Sequence, residues 1–307
     1  MNMEVFSHAM GEIDSAYIQE AMVYRRERKG KTRVKWGVLA ACVCLAATAA
    51  FSWRQSVGPE GDSPVEAVVM TEEGAVIPPL SVSLSSRAQT DMLAFFIYQG
   101  RTYTQYEWIE DGGAVVGEWL GRATGLIDEW TPRDGYVELA GSVSGDFYAV
   151  NGYDPSFMLC MQYEDGQVST YICNRGITLQ YGRELYEDRL HLSENWVAVE
   201  YESRESWYNS RGEVYALGEE DTELLGDFIR VLNTGVFMPT SEFPLEGEET
   251  SVYDAKEMYH LYFRLKNGMT AELRLFEGGY VAFEGILDVC VQVPREEFDA
   301  LTARLAR

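Results

Sequence analysis

The sequence predicts an α+β protein: an N-terminal cytoplasmic helix, one transmembrane helix, then an extracytoplasmic antiparallel β-rich domain with a few helices. Three observations predict it. A charge-free apolar run directly follows a basic stretch. From residue 92 onward, short aromatic and β-branched runs alternate with turn residues. Two segments nearer the C-terminus switch to helical spacing.

The apolar run is Trp36 to Trp53, WGVLAACVCLAATAAFSW, 18 residues without a charge. At about 1.5 Å per residue it spans roughly 27 Å, enough for a hydrocarbon core. Trp36 and Trp53 stand where interfacial aromatic anchors belong. Residues 25–35 read RRERKGKTRVK, whereas beyond Trp53 a single Arg54 precedes the acids Glu60, Asp62 and Glu66. The positive-inside rule therefore places the N-terminus in the cytoplasm and the C-terminus outside. Ala47-Thr48-Ala49 has the small-x-small form of a signal cleavage site, but its 35-residue leader is long for a signal. Leu39-Ala40-Ala41-Cys42 has lipobox form, but six uncharged residues after Lys35 make too short an apolar core. Gly37 with Ala41, and Ala46 with Ala50, are small-xxx-small pairs of the kind that pack two helices.

The tail, residues 1–35, reads as helical from Asp14, a candidate N-cap. Ile13 and Ile18 have hydrophobic-staple spacing, and Ile18, Ala21 and Met22 form a small stripe. Such a helix lies on anionic lipid with its basic half, or docks a cytoplasmic regulator. Gly30-Lys31-Thr32 copies the end of a phosphate loop, but Arg25 stands where the first glycine belongs, so the motif fails.

Residues 54–91, with Pro59, Pro64, Pro78 and Pro79 and no aromatic, read as a stalk or irregular lead-in, with one strand at Val65–Met70. Residues 92–307 read as the outer α+β domain, divisible into lobes 92–215 and 216–307. Strands are expected at Met92–Tyr98 and Arg101–Trp108 around the turn Gln99-Gly100, then within Gly113–Ile127 and at Asp146–Val150. Phe157–Tyr163 and Gln167–Asn174 follow around Glu164-Asp165-Gly166, and then His191–Glu202. Asp221 is placed to cap a helix whose Leu224, Leu225, Phe228, Ile229 and Leu232 share one face, ended by Asn233-Thr234-Gly235. Tyr259–Leu265 and Met269–Phe276 flank Lys266-Asn267-Gly268 as the clearest hairpin, with further strands at Tyr280–Glu284 and Val289–Val293. Pro294 suits a helix first turn, with Phe298, Leu301 and Leu305 as its stripe.

The formal net charge is −24, unevenly spread: residues 1–35 hold seven basic against five acidic residues, the rest 18 against 44. That excess repels phosphates, so no nucleic-acid partner is expected for the large domain. Of five cysteines, Cys42 and Cys44 lie in the apolar run. Cys160, Cys173 and Cys290 are an odd number, and a tight hairpin sets Cys160 opposite about residue 170, so buried thiols are expected rather than a disulfide.

No catalytic, cofactor or metal residue is assigned. Gly141-Ser142-Val143-Ser144-Gly145 lacks the central serine of a nucleophile elbow. His8 lies in the tail, and His191 and His260, without ligands at metal spacing, read as ordinary strand residues. Glu219, Glu220, Asp221 and Glu223 suit a helix start. Trp108, Trp119, Trp130, Trp196 and Trp207 read as core residues rather than sugar-stacking rings.

The run from Ile13-Asp14-Ser15-Ala16-Tyr17 through the basic stretch to Trp36-Gly37-Val38-Leu39-Ala40-Ala41-Cys42 resembles an N-terminal module of uncharacterised single-pass membrane proteins of Gram-positive anaerobes. Some proteins of that layout are described as anti-sigma factors. The resemblance covers about residues 10–50 and implies a cytoplasmic signalling tail. The tail carries no Cys/His set for zinc. The expected function is a non-enzymatic binding or sensing domain outside the membrane. Its expected partners are the lipid bilayer, a cytoplasmic regulator and an extracytoplasmic ligand. The alternatives are a cell-wall-facing hydrolase built on two carboxylates and a carbohydrate-binding or adhesion module.

Overall fold

Turns set the strand pairing. At Gln99-Gly100 φ is 51° and 68°, the two positive values that a two-residue hairpin requires. The strands on either side, β3 (Phe95–Tyr98) and β4 (Arg101–Ile109), close with Tyr98 opposite Arg101. Farther on, β7 (Met158–Gln162) returns as β8 (Val168–Ile172), placing Cys160 opposite Thr170 as the sequence implies. The hairpin of β13 (Glu257–Leu265) and β14 (Thr270–Phe276) forms as expected around Lys266-Asn267-Gly268.

The computed structural model describes residues 67–79, 93–110, 112–128, 131, 135–163, 166–243 and 256–306. They belong to one compact unit, Gly61–Arg307. The expected tail (1–35) and transmembrane helix (36–53) lie outside the described residues, as does Trp130. Among the described residues no helix is long and apolar enough to cross a membrane.

The unit is a β-rich antiparallel α+β fold, with three sheets among the described residues. In the first, β1 (Val69–Thr71) and β2 (Gly74–Ile77) pair with β9 (Ile177–Leu179). The second has the order β3-β4-β8-β7-β6-β5, with β5 at Val116–Thr124 and β6 at Ser144–Val150. The third has seven strands, ordered β11-β10-β13-β14-β15-β16-β12. Its remaining members are β10 (Trp196–Ser203), β11 (Val214–Ala216), β12 (Phe237–Pro239), β15 (Tyr280–Phe283) and β16 (Ile286–Gln292).

Three departures from the sequence reading have physical reasons. Within the expected stalk, residues 69–77 form a hairpin, because Ala75 and Ile77 are fully buried and β2 finds a partner in β9. The strand expected from His191 begins instead at Trp196. His191 sits at φ 52°, and α2 (Leu192–Asn195), which follows α1 (Arg183–Tyr186), occupies the intervening residues. The change of sheet falls between β9 and β10, so β10, which precedes residue 216, and β11, which straddles the 215/216 boundary, belong to the seven-stranded sheet.

One core joins all three sheets. Ala75 and Leu179, Met158 and Ile172, Leu261 and Phe263 sit in the same buried cluster. A third short helix, α3 (Arg204–Tyr208), follows β10 directly. The long helix α4 (Thr222–Thr234) adds Leu225, Phe228, Ile229 and Leu232 to the cluster, and α5 (Arg295–Leu305) adds Phe298, Leu301 and Leu305. Both apolar stripes are those the periodicity marks. Asp221 stands at the N-cap of α4, but its carboxylate turns away from the helix. It accepts from the Gly218 N–H (3.0 Å) and from the Arg304 guanidinium (2.8 and 2.9 Å), tying the start of α4 to the end of α5.

Replacing Phe228 by Ala removes a fully buried ring and should cost about 3–5 kcal/mol. Replacing exposed Glu223 should cost less than about 1 kcal/mol. Denaturant midpoints of residues 61–307 read both; equal shifts would mean that Phe228 does not pack in the core. A fragment starting at residue 92 should be less stable than one starting at 61, since it lacks the buried Ala75 and Ile77.

Candidate functional site

The β13–β14 hairpin sorts its residues by alternation. Leu261, Phe263 and Leu265, with Ala271, Leu273 and Leu275, enter the main core. His260, Tyr262 and Arg264, with Thr270, Glu272 and Arg274, take the opposite face. Register aligns Glu202, His260, Arg274 and Ala282 across four strands. Glu257, three residues before His260, would ordinarily face the other way. A bulge between Glu257 and Tyr259 turns it onto the His260 face.

The result is a buried charge cluster. His260 is fully buried, and Glu257, Glu202 and Arg274 are nearly so. The His260 Nδ1 lies 2.6 Å from Glu272 Oε1. Its Nε2 faces Glu257 Oε1 at 3.3 Å, aligned for charge attraction but not for a hydrogen bond. Arg274 Nη1 reaches the same Glu257 oxygen at 3.4 Å, and its Nε donates to Glu284. Arg204 Nε approaches the other Glu257 oxygen at 3.8 Å. With His260 protonated, His260, Arg274 and Arg204 compensate Glu257, Glu272 and Glu284, while Glu202 is held by the Ser206 and Tyr262 hydroxyls. Buried charge is tolerated only when compensated in this way.

Helix α3 roofs the cluster. Ser203 caps it by accepting from the Ser206 N–H (3.2 Å). Trp207 then lies on the imidazole, ring centroids 4.5 Å apart and planes 17° apart, with the Arg274 guanidinium 5.0 Å from the indole centroid. An indole face attracts both cations. Ser206 Oγ donates to Glu202 Oε1 (2.5 Å) and accepts from the Glu213 N–H (2.9 Å).

Burial by itself lowers the His260 pKa, but the ion pair with Glu257 and the hydrogen-bonded Glu272 outweigh it and hold the pKa above its ordinary value. Burial pushes the Glu284 carboxyl up, against the pull of Arg274. At Asp221 burial also works upward, but the hydrogen bonds from Arg304 and Gly218 win and lower its pKa. Chemically, the His260 cluster can gain or lose a proton between an imidazole and flanking carboxylates. Among the described residues no group of three or more His, Cys, Asp or Glu is arranged to hold a metal.

The remaining singled-out residues are dispersed. His191 lies 5.5 Å from Tyr153, away from His260's partners. Cys160, Cys173 and Cys290 are buried free thiols, and burial raises Cys160 and Cys290 to about 12. Glu219, Glu220 and Glu223 are exposed, leaving only Asp221 pinned. The tryptophans depart from the core expectation: Trp108, Trp119 and Trp207 are 45%, 56% and 40% exposed, while Trp196 is half-buried. Trp108 leans on Tyr163 at 5.0 Å and Trp207 on a cationic pair, so each finds a partner at the surface. An open groove of about 990 Å³ lies between β1, β12 and the start of α5, lined by Met70, Val236, Phe237, Gly279, Gln292 and Asp299.

The cluster was not visible in the sequence. His260 has no second ligand at a regular spacing, and only the bulge brings Glu257 to it. No family model, no curated protein and no solved structure matches the chain.

The raised His260 pKa fixes a sign. Its stabilising contribution is complete below the unfolded value, about 6.5, and is lost as pH rises through the folded-state pKa. Glu284 acts in the same direction from about pH 4.5 upward. Asp221 acts oppositely, losing its contribution as pH falls below about 4. Urea midpoints of residues 61–307 should therefore decline as pH rises above about 6.5, and His260→Asn should flatten that decline. A midpoint that rises there, or an unchanged slope in the variant, would rule out the charged imidazole.

Proposed function

We propose that this chain is a single-pass membrane protein with a cytoplasmic N-terminus, whose outer domain binds or senses a partner rather than catalysing a reaction. Its tail then carries the signal to a cytoplasmic regulator, as suggested by the resemblance of residues 10–50 to uncharacterised single-pass membrane proteins, some of them described as anti-sigma factors. One observation carries the outer half of this reading. Trp207 and Tyr208 of α3 and Val214 of β11 are exposed beside one face of an edge strand of the seven-stranded sheet, and Tyr215 is exposed on its other face. Clustered exposed apolar side chains of this kind mark interaction surfaces.

The competing readings find less support. A carboxylate hydrolase needs an acidic pair about 5–10 Å apart facing a cleft. Glu257, Glu272 and Glu284 are instead engaged by His260 and Arg274 beneath Trp207. A sugar-binding face needs exposed rings in a row. Register aligns Trp108 with Ser169 and Met161, but Trp119 with Tyr148 and Cys160, on opposite faces of the six-stranded sheet.

A reporter active only outside the membrane should work when fused after Arg307 and fail when fused within residues 1–30. The reverse pattern would overturn the orientation. Residues 1–35 used as bait should recover a sigma factor or another cytoplasmic regulator; recovery of none would remove the signalling half.

A further inference from the structure

The imidazole of His260 stands between two carboxylates. Glu272 Oε1 lies 2.6 Å from Nδ1, and Glu257 Oε1 lies 3.3 Å from Nε2. Carboxylates only accept, so only the imidazolium, with a proton on each nitrogen, suits both neighbours at once. A neutral ring turns a lone pair toward one of them. The charge count changes as well. Arg274 and Arg204 alone then face Glu257, Glu272 and Glu284, one carboxylate too many for a buried site. The other groups around the ring do not make up the difference. Glu202 of β10, opposite His260, is a further carboxylate, and burial holds the phenols of Tyr262 on β13 and Tyr106 on β4 protonated. One face of the imidazole has thin cover. Trp207 of α3 lies on it, centroids 4.5 Å apart, and is itself 40% exposed, so on that side a single ring separates His260 from water.

We propose that His260 is a proton-operated latch for α3: the helix is seated while the imidazole is charged, and lifts to admit water to the cluster when the proton leaves. Helix α3 is the element placed to move. It has five residues and little stability of its own. Its indole lies over two cations, the imidazolium and the Arg274 guanidinium, and deprotonation removes one of them. Strands β13 and β14, by contrast, are paired on both sides and share the apolar core. Arg204 of α3 pulls the other way, toward Glu257, but at 3.8 Å and 31% exposed it is screened by the water it borders. Water entering beneath Trp207 solvates the excess carboxylate, which a closed site leaves uncompensated. The raised His260 pKa gives the direction: the latch is closed below about 6.5 and opens as pH rises through the folded-state value. The moving part carries exposed Trp207 and Tyr208, and its Ser206 accepts from the Glu213 N–H just before β11. Control of binding by pH would rest on reading this surface as a binding surface; the latch itself does not.

The test is amide hydrogen exchange of the full chain in detergent micelles, read by mass spectrometry and corrected for the intrinsic pH dependence of exchange. Between about pH 6 and about pH 9, protection of peptides within residues 204–213 should fall about tenfold, while peptides from β13 and β14 keep theirs. Glu257→Gln separates the latch from a merely structural role. With a neutral imidazole it leaves Arg274 and Arg204 against Glu272 and Glu284, a balanced set, and its amide can donate to the bare nitrogen. Its α3 peptides should therefore stay protected at about pH 9. His260→Asn, with no proton to lose, should make α3 exchange independent of pH. Four results would each overturn the latch: no fall in the native chain, a fall shared equally by β13 and β14, a Glu257→Gln variant that falls as the native chain does, or one less protected at both pH values. The experiment contains no partner, so its failure would leave the binding reading untouched.

Discussion

Both faces of the β13–β14 hairpin carry fully buried side chains, and most of the domain follows from that constraint. One face is apolar, and its Leu261, Phe263, Leu273 and Leu275 share one buried cluster with Phe228 of α4 and Leu301 of α5. The other carries His260 and Arg274, fully buried and nearly so. Two buried cations need carboxylates within reach. Glu257, Glu272 and Glu284 supply them from one bulge, one neighbouring position and one strand end. Unbalancing the set costs more than building it gains, because removing one partner leaves an uncompensated charge in a low-dielectric site.

The same hairpin also anchors the six-stranded sheet. Strand β15 covers β14 only from Leu273 to Phe276, which leaves backbone groups of Thr270 and Glu272 beyond the ladder. Residues of β4 satisfy them. Tyr106 OH donates to the Thr270 carbonyl (2.8 Å) and accepts from the Glu272 N–H (3.3 Å), while Glu107 Oε2 accepts from the Thr270 N–H (2.8 Å). Tyr106 also packs on Phe283 at 5.3 Å. A side-chain cap of this kind joins two sheets without a shared strand.

What was legible in the sequence was periodic. The stripe of Leu225, Phe228, Ile229 and Leu232, that of Phe298, Leu301 and Leu305, and the turns at Gln99-Gly100 and Lys266-Asn267-Gly268 each repeat a local rule over several residues. The three-residue strands β9, β11 and β12 are too short to show alternation and exist only through their partners. The candidate site hid for a sharper reason. Strict alternation sends Glu257 and His260 to opposite faces, and one bulged residue reverses that. The tryptophans misled because size alone suggested burial, whereas Trp207 gains its energy from lying over cations at the surface.

The cluster and the sheet edge meet in α3, a helix of five residues. Trp207 faces His260 and Arg274, while its neighbour Ser206 bonds Glu202 on one side and the Glu213 N–H, just before β11, on the other. The strand β11 is thus held both by its ladder with β10 and by the helix that covers the charges. A helix this short has little stability of its own. Its place depends on the Ser203 cap, the Ser206 bridge and the Trp207 stack acting together.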